Sequence, residues 1–182
     1  MAGGPTTVAE VVAALEVVRD VAARLEPVTV PMHQVPELFD SLVALERCAG
    51  GAVLRMAARY EEAGVWKRNG AKSAEDDIAR KTGTGSGKAR RRLKTSKRLT
   101  EQPRTDEAVR RGRVSPDQAD EVSDGAAASP PDEDDLLDSA ATDPLHTLRE
   151  KAAAARAKAD KDREERARRL HEARLRAPVE RR

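Results

Sequence analysis

Phe39, Tyr60 and Trp66 are the only aromatic residues in this chain, and no run of β-branched or aromatic residues alternates as a strand requires. A core must therefore be assembled from Ala, Val and Leu, residues that fill helix interfaces, and Ala and Arg are abundant throughout. These constraints predict an all-α protein, a multi-helix bundle of six to eight helices with a small core. At 182 residues the chain is long enough for one domain, or one domain with a tail.

Helix signals follow one another along the sequence. Thr7 with Glu10 forms a capping box, and Val8, Val11, Leu15, Ala22 and Leu25 mark one stripe, which predicts a helix to about Glu26. Pro27, Pro31 and Pro36 then break the pattern. Leu38, Leu42, Leu45, Ala49, Val53, Met56 and Tyr60 carry a longer helix that stops at Gly64. Inside it, Gly50-Gly51 marks a kink or a place where another helix approaches closely. Ser73 with Asp76 starts a short helix to about Lys81, and Ser86 starts another to about Leu99. Short helices over about Arg104–Arg111 and from Ser115 to about Gly125 follow, the second with Pro116 and Gln118 as starting signals. The resulting organisation is a capped helix and Pro-rich linker (1–35), a helical domain (36–128), an acidic linker (129–143) and a charged C-terminal helix (144–182). The last is rich in Ala, Arg, Glu and Lys, with a thin apolar face of Leu145, Leu148, Ala152, Ala155, Leu170 and Leu175. It is predicted to be long and exposed, and to fray towards Arg182.

Charge is sorted along the chain. Between Arg80 and Arg98 lie nine Lys or Arg residues and no acid, although the whole chain carries only +2. This block falls on a helix-turn-helix-like unit (73–99): Ile78 and Ala79 on the first helix, Gly83 in the turn, Ala89 and Leu93 facing inward on the second. At 100° per residue Arg91, Lys94 and Arg98 point away from Ala89 and Leu93, flanked by Lys88, Arg90 and Lys97. Such a face neutralises phosphates, so Lys88, Arg90, Arg91, Lys94, Lys97 and Arg98 are the candidate nucleic-acid contacts, with DNA preferred to RNA as partner. Ser86 and Gly87 would add free backbone N–H groups. Arg92 falls near the buried side and must extend past it. The competing reading is a solvated basic face, which usually carries interleaved acids that this one lacks.

From Val114 to Leu148 the sign reverses: Asp117, Asp120, Glu121, Asp124, Asp132, Glu133, Asp134, Asp135, Asp138 and Asp143 occur without a Lys or Arg. This segment either folds back on the basic helix or is a solvated linker that balances charge, and the linker is the favoured reading.

Other signals fail on spacing. In Gly83–Lys88 (GTGSGK) a phosphate loop would need Gly where Thr82 stands and Ser or Thr where Ala89 stands, after a strand rather than a helix. His33, His146 and His171 are far apart, and Cys48 is alone, so neither a metal centre nor a disulfide is predicted. No carboxylate pair stands out for acid–base chemistry. No cofactor is expected, and the chain reads as a non-enzyme. Without a signal peptide or an apolar run of spanning length, a cytoplasmic protein with no membrane partner is expected.

Several of these elements together resemble the N-terminal region of the "domain of unknown function 222" family. The resemblance rests on Tyr60–Trp66 (YEEAGVW), Gly70–Ser73 (GAKS), Ile78–Gly83 (IARKTG), Ala89–Leu93 (ARRRL) and Gly112–Ser115 (GRVS) with Gln118-Ala119, and covers roughly Leu38 to Leu175. Many members carry a C-terminal HNH endonuclease domain. The resemblance implies a helical module related to such nucleases, truncated before any HNH motif. Three positions depart from the family pattern: Asp77 replaces a large apolar residue, commonly Trp, Arg92 replaces Leu, and Thr84 replaces an apolar turn residue. These departures predict a loosely packed hairpin. The functional expectation is a non-catalytic nucleic-acid-binding module. The alternatives are a helical scaffold for protein–protein contact or self-association, and a degenerate copy without activity.

Overall fold

The computed structural model describes Gly4 and residues 6–176. Among them there is no strand, as the composition requires, and there are nine α-helices rather than the expected six to eight. The chain divides into a unit of residues 1–41 and a second unit from Leu42 onward.

In the first unit, helix α1 (Val8–Arg24) starts at the expected capping box, where the Thr7 hydroxyl accepts from the Glu10 N–H and the Glu10 carboxylate accepts from the Thr7 N–H. Glu16–Arg19 and Asp20–Arg24 pairs run along its polar side. None of its residues is buried, and Val8, Val11, Val12, Leu15 and Val21 are exposed. The Pro-rich linker contains a single 3-10 turn, Pro27–Thr29. Helix α2 (Val35–Glu62) begins in this unit and continues into the second.

The second unit holds α3 (Val65–Arg68), α4 (Ala74–Thr82), α5 (Ser86–Arg98), α6 (Pro103–Arg110), α7 (Pro116–Ala128), α8 (Glu133–Thr142) and α9 (Leu145–Arg176). Helix α7 is the central element, touched by α5, α6, α8 and α9. Its Ala119 and Val122 meet Leu54 of α2, Val109 of α6, Leu136 of α8 and Leu148 and Ala152 of α9 in one core. Small residues set the spacing. Gly51 allows close approach of α2 and α6, since a Cβ there would lie 2.8 Å from the Val109 carbonyl oxygen, and Gly50 leaves room for Pro116. The Gly50-Gly51 pair is thus a packing site. Gly125, expected near the end of its helix, lies inside α7. A Cβ at that position would meet Leu136 at 2.5 Å and Ala152 at 3.3 Å, so the glycine serves a three-helix contact rather than a stop.

A second core joins Ala57 of α2 to Ala74, Ile78 and Ala79 of α4 and to Ala89 and Leu93 of α5, with Tyr60 and Trp66 against it. Gly83 (φ +65°) makes the α4–α5 turn, as its place in the sequence predicts. The expected loosening of this hairpin does not occur, because the departing side chains find partners. Asp77 is fully buried and accepts from the Tyr60 hydroxyl at 2.5 Å, from Asn69 Nδ2 at 2.8 Å and from the Arg80 guanidinium. These donors hold its carboxyl down at about 2, the Tyr60 hydrogen bond contributing most.

The acidic stretch 129–143 is more ordered than a linker. After a 3-10 turn (Pro130–Asp132), α8 buries Leu136, Ser139 and Ala140. The Glu133 carboxylate accepts from the backbone N–H (2.9 Å) and hydroxyl (2.6 Å) of Thr105, satisfying the first turn of α6. Helix α9 is long, as expected. Leu148, Ala152 and Ala155 are buried, and the helix is exposed from residue 160 to residue 172. Fraying towards Arg182 and the place of Leu175 fall outside the described residues and side chains.

Candidate nucleic-acid interface

Helix α5 is buried on two sides, and this decides what its cations do. Ala89, Leu93 and Ser96 face α2 and α4, where the Ser96 hydroxyl accepts from the Ala58 N–H at 3.0 Å. Thr95, also buried, faces α7 and donates to Asp120 at 2.7 Å. The surface read from the sequence as pointing to solvent therefore points largely at α7.

There it meets carboxylates in register. Asp117, Asp120, Glu121 and Asp124 recur at i, i+3, i+4 and i+7, one face of a helix. Lys88 Nζ lies 2.8 Å from Asp117, and Arg92 reaches Asp117 at 2.7 Å and Asp120 at 3.4 Å. Arg91 lies 3.0 Å from Glu121, which also takes Arg149 of α9 at 2.9 Å. Asp124 collects Arg98 at 2.5 Å, Lys94 at 3.4 Å and Arg91 at 4.0 Å. On the other flank Lys97 lies 2.6 Å from Glu61 of α2.

The expectation of an outward, unpartnered cationic face is corrected here. Five of the six candidate residues (Lys88, Arg91, Lys94, Lys97 and Arg98) are paired with the protein's own carboxylates. The sixth, Arg90, is exposed, and its field reaches Glu75. Lys94 and Lys97 keep more than half of their side-chain surface in solvent despite their partners. Arg90, Lys94 and Lys97 share the most solvent-facing arc, with Arg91 and Lys88, at 43% and 41% exposure, at its edges. The favoured reading of 117–124 as a solvated linker is likewise replaced, since these acids lie between α5 and the helical core. Their i, i+3, i+4, i+7 spacing, matched by the basic spacing on α5, is the signal that identifies them.

The row is electrostatically graded. Burial pushes the Asp117 and Asp124 carboxyls up, but hydrogen bonds from Lys88 and Arg92, and from Arg98, outweigh it and leave both below the usual range. Asp120 goes the other way. Buried between Thr95 and Arg92, it is pushed up to about 6 by loss of solvent, which the Thr95 hydrogen bond and the arginine charges only partly offset.

Among the described residues no group of three His, Cys, Asp or Glu side chains gathers as metal ligands. A hollow of about 770 Å³ between α8 and α9 is open and lined by Asp135, Asp138, Asp143, Lys151 and Lys158 among others. The GTGSGK stretch is the α4 C-cap and the α5 N-terminus, joining two helices. No helix among the described residues is long and apolar enough to cross a membrane. Compared with models of protein families, with curated proteins and with solved structures, the chain finds no match.

Proposed function

We propose that this chain is a non-catalytic helical scaffold that acts by protein–protein contact through the apolar helix faces it leaves in solvent. The observation that carries this reading is the outer side of α2, where Phe39, Leu45, Val53 and Met56 are 43–64% exposed on a helix whose opposite side is the core. Helix α1 adds a second apolar stripe with nothing buried. Contiguous apolar faces of this kind mark interaction sites, and a lone amphipathic helix of α1's length gains most of its stability by docking. The resemblance to a region that stands beside a catalytic domain fits an accessory role.

Light scattering after size exclusion tests the reading on the full chain. A mass above 19.8 kDa that falls to the monomer value in Leu45→Asp or in Val11→Asp/Leu15→Asp supports it. A particle of monomer mass at every concentration, with tight duplex binding, rejects it.

Nucleic-acid binding is the second reading, favoured by the solvent-facing arc of Arg90, Lys94 and Lys97. Three phosphate contacts lower affinity by only about 40-fold between 50 and 200 mM salt, against about a thousandfold or more for six. On this reading DNA binds weakly, unless the α7 carboxylates are removed.

A further inference from the structure

We infer that the hollow between α2, the C-terminal end of α5 and α6 is a binding site for a phosphate group, held by the guanidinium groups of Arg55 and Arg110. The site is independent of the scaffold reading, and all its residues lie in the second unit.

The hollow measures about 300 Å³, and Leu99 and Pro103 line it together with Arg55, Asp106 and Arg110. Asp106 joins arginines from two helices. Arg55 of α2 donates from Nε to one carboxylate oxygen at 2.7 Å, and Arg110 of α6 donates from Nε to the other at 2.6 Å. One carboxylate thus fixes two guanidinium groups side by side at the same opening.

The charges do not balance there. Burial pushes the Asp106 carboxyl up, but the hydrogen bonds from Arg110 and Arg55 outweigh it and hold the group below the usual range, so it is ionised at neutral pH. One negative charge then faces two positive ones, and no other acid lines the hollow. The pairing also leaves most donors unused. Among the described residues, Nε is the only side-chain nitrogen that either arginine gives to a protein acceptor. The Nη groups of both forks remain.

Those remaining donors select the ligand. A guanidinium binds phosphate through parallel N–H groups, and two guanidiniums from different helices can each address a different oxygen of a tetrahedral anion. A flat carboxylate offers only two oxygens, and Asp106 already fills that role. The nearby hydroxyls do not compete as donors, since Ser96 donates to the Arg55 carbonyl at 3.2 Å and Thr100 to the Lys97 carbonyl at 3.1 Å. With Asp106 only 19% and Arg55 only 35% exposed, salt screens this charge less than it screens a pair in open solvent. The volume equals the share of roughly ten water molecules, which admits phosphate or a small phosphate ester.

Titration of the full chain with inorganic phosphate, followed by the arginine Nε–H signals in a nitrogen–proton NMR spectrum, tests the site. The Arg55 and Arg110 signals, assigned from the variants below, should move together and saturate, with half-saturation at about 1 mM. Sodium chloride at matched ionic strength should leave them in place. Arg110→Gln, at a half-exposed position, and Arg55→Lys, which keeps the charge but loses the fork, should each weaken binding at least about tenfold. Arg111→Gln removes the same charge from the next residue, which does not line the hollow, and should change affinity less than about twofold. Methyl phosphate separates the two sources of the group: binding as tight as that of inorganic phosphate assigns the site to phosphate esters, and binding of inorganic phosphate alone assigns it to the free ion. Signals that chloride moves equally, a response still linear at about 50 mM phosphate, or equal losses in Arg110→Gln and Arg111→Gln overturn the site.

Discussion

Replacing Asp124 by Asn tests whether the α5 cations are held by α7. The side chain keeps its shape and one acceptor oxygen, but loses the charge that receives Arg98 at 2.5 Å, Lys94 at 3.4 Å and Arg91 at 4.0 Å. Lys94 and Arg91 are 57% and 43% exposed, so solvent screens them and each contributes a few tenths of a kcal/mol at most by the usual measure of surface pairs, roughly 0–1 kcal/mol. Arg98 and Asp124 are mostly shielded, at 24% and 19%, and a charge-assisted hydrogen bond in that setting is worth about 1.5–3 kcal/mol. The desolvation that Asp124 no longer suffers offsets part of this, leaving a net loss of about 2 kcal/mol. With a urea dependence of about 2 kcal/mol/M, the midpoint should fall by about 1 M with unchanged slope. The sign with pH is fixed by the lowered carboxyl of Asp124. Its contribution is complete above the unfolded carboxylate value and is lost as pH falls through the lower folded value, so variant and wild type should converge on acidification. Urea melts followed by circular dichroism at neutral pH and near pH 2.5 make the comparison. A midpoint shift below about 0.3 M at neutral pH, or a gap that persists in acid, would refute the reasoning.

Other perturbations address separate contacts. Asp120 titrates near 6, above its unfolded value, so its effect on stability runs opposite to that of Asp124: stability is fullest below the unfolded value and falls as pH rises through 6. Asp120→Asn, which can still accept from Thr95, should flatten that decline and gain about 1–2 kcal/mol at pH 8, as read by urea melts. Gly51→Ala should cost about 2–3 kcal/mol, since its Cβ would lie 2.8 Å from a backbone oxygen of α6 that cannot rotate aside. Tyr60→Phe removes the shortest neutral donor to Asp77, so the acid unfolding midpoint should move to higher pH, visible in a pH melt.

Most of the fold is legible in local signals. The Thr7 and Ser115 capping boxes, the Ser73 cap and Gly83 as a left-handed stop place helix ends within a few residues, because each satisfies orphan backbone groups from nearby in sequence. What local signals leave open is long-range. Gly125 looks like a stop until Leu136 and Ala152 are known to press on it. Val65–Arg68 is too short for periodicity to mark. The same limit governs the candidate site. Six cations on α5 are easy to see, but a helical wheel has one inward direction, and α5 has two. Thr95, an ordinary residue in the sequence, is the side chain that turns the basic face towards Asp120. Asp77 and Arg92 look like defects in a hairpin until Tyr60, Asn69, Asp117 and Asp120 are brought beside them.

Neutralisation of α5 from within is what favours the proposed contact between helix faces over phosphate binding by that helix. Fluorescence anisotropy of a labelled duplex, titrated with the full chain from 50 to 200 mM salt, measures how many cations remain free. The three solvent-facing cations Arg90, Lys94 and Lys97 give a slope of log affinity against log salt of about −2.7 and weak binding throughout. A slope near −5.4 with tight binding at low salt would mean that all six side chains reach phosphate, and would contradict internal neutralisation.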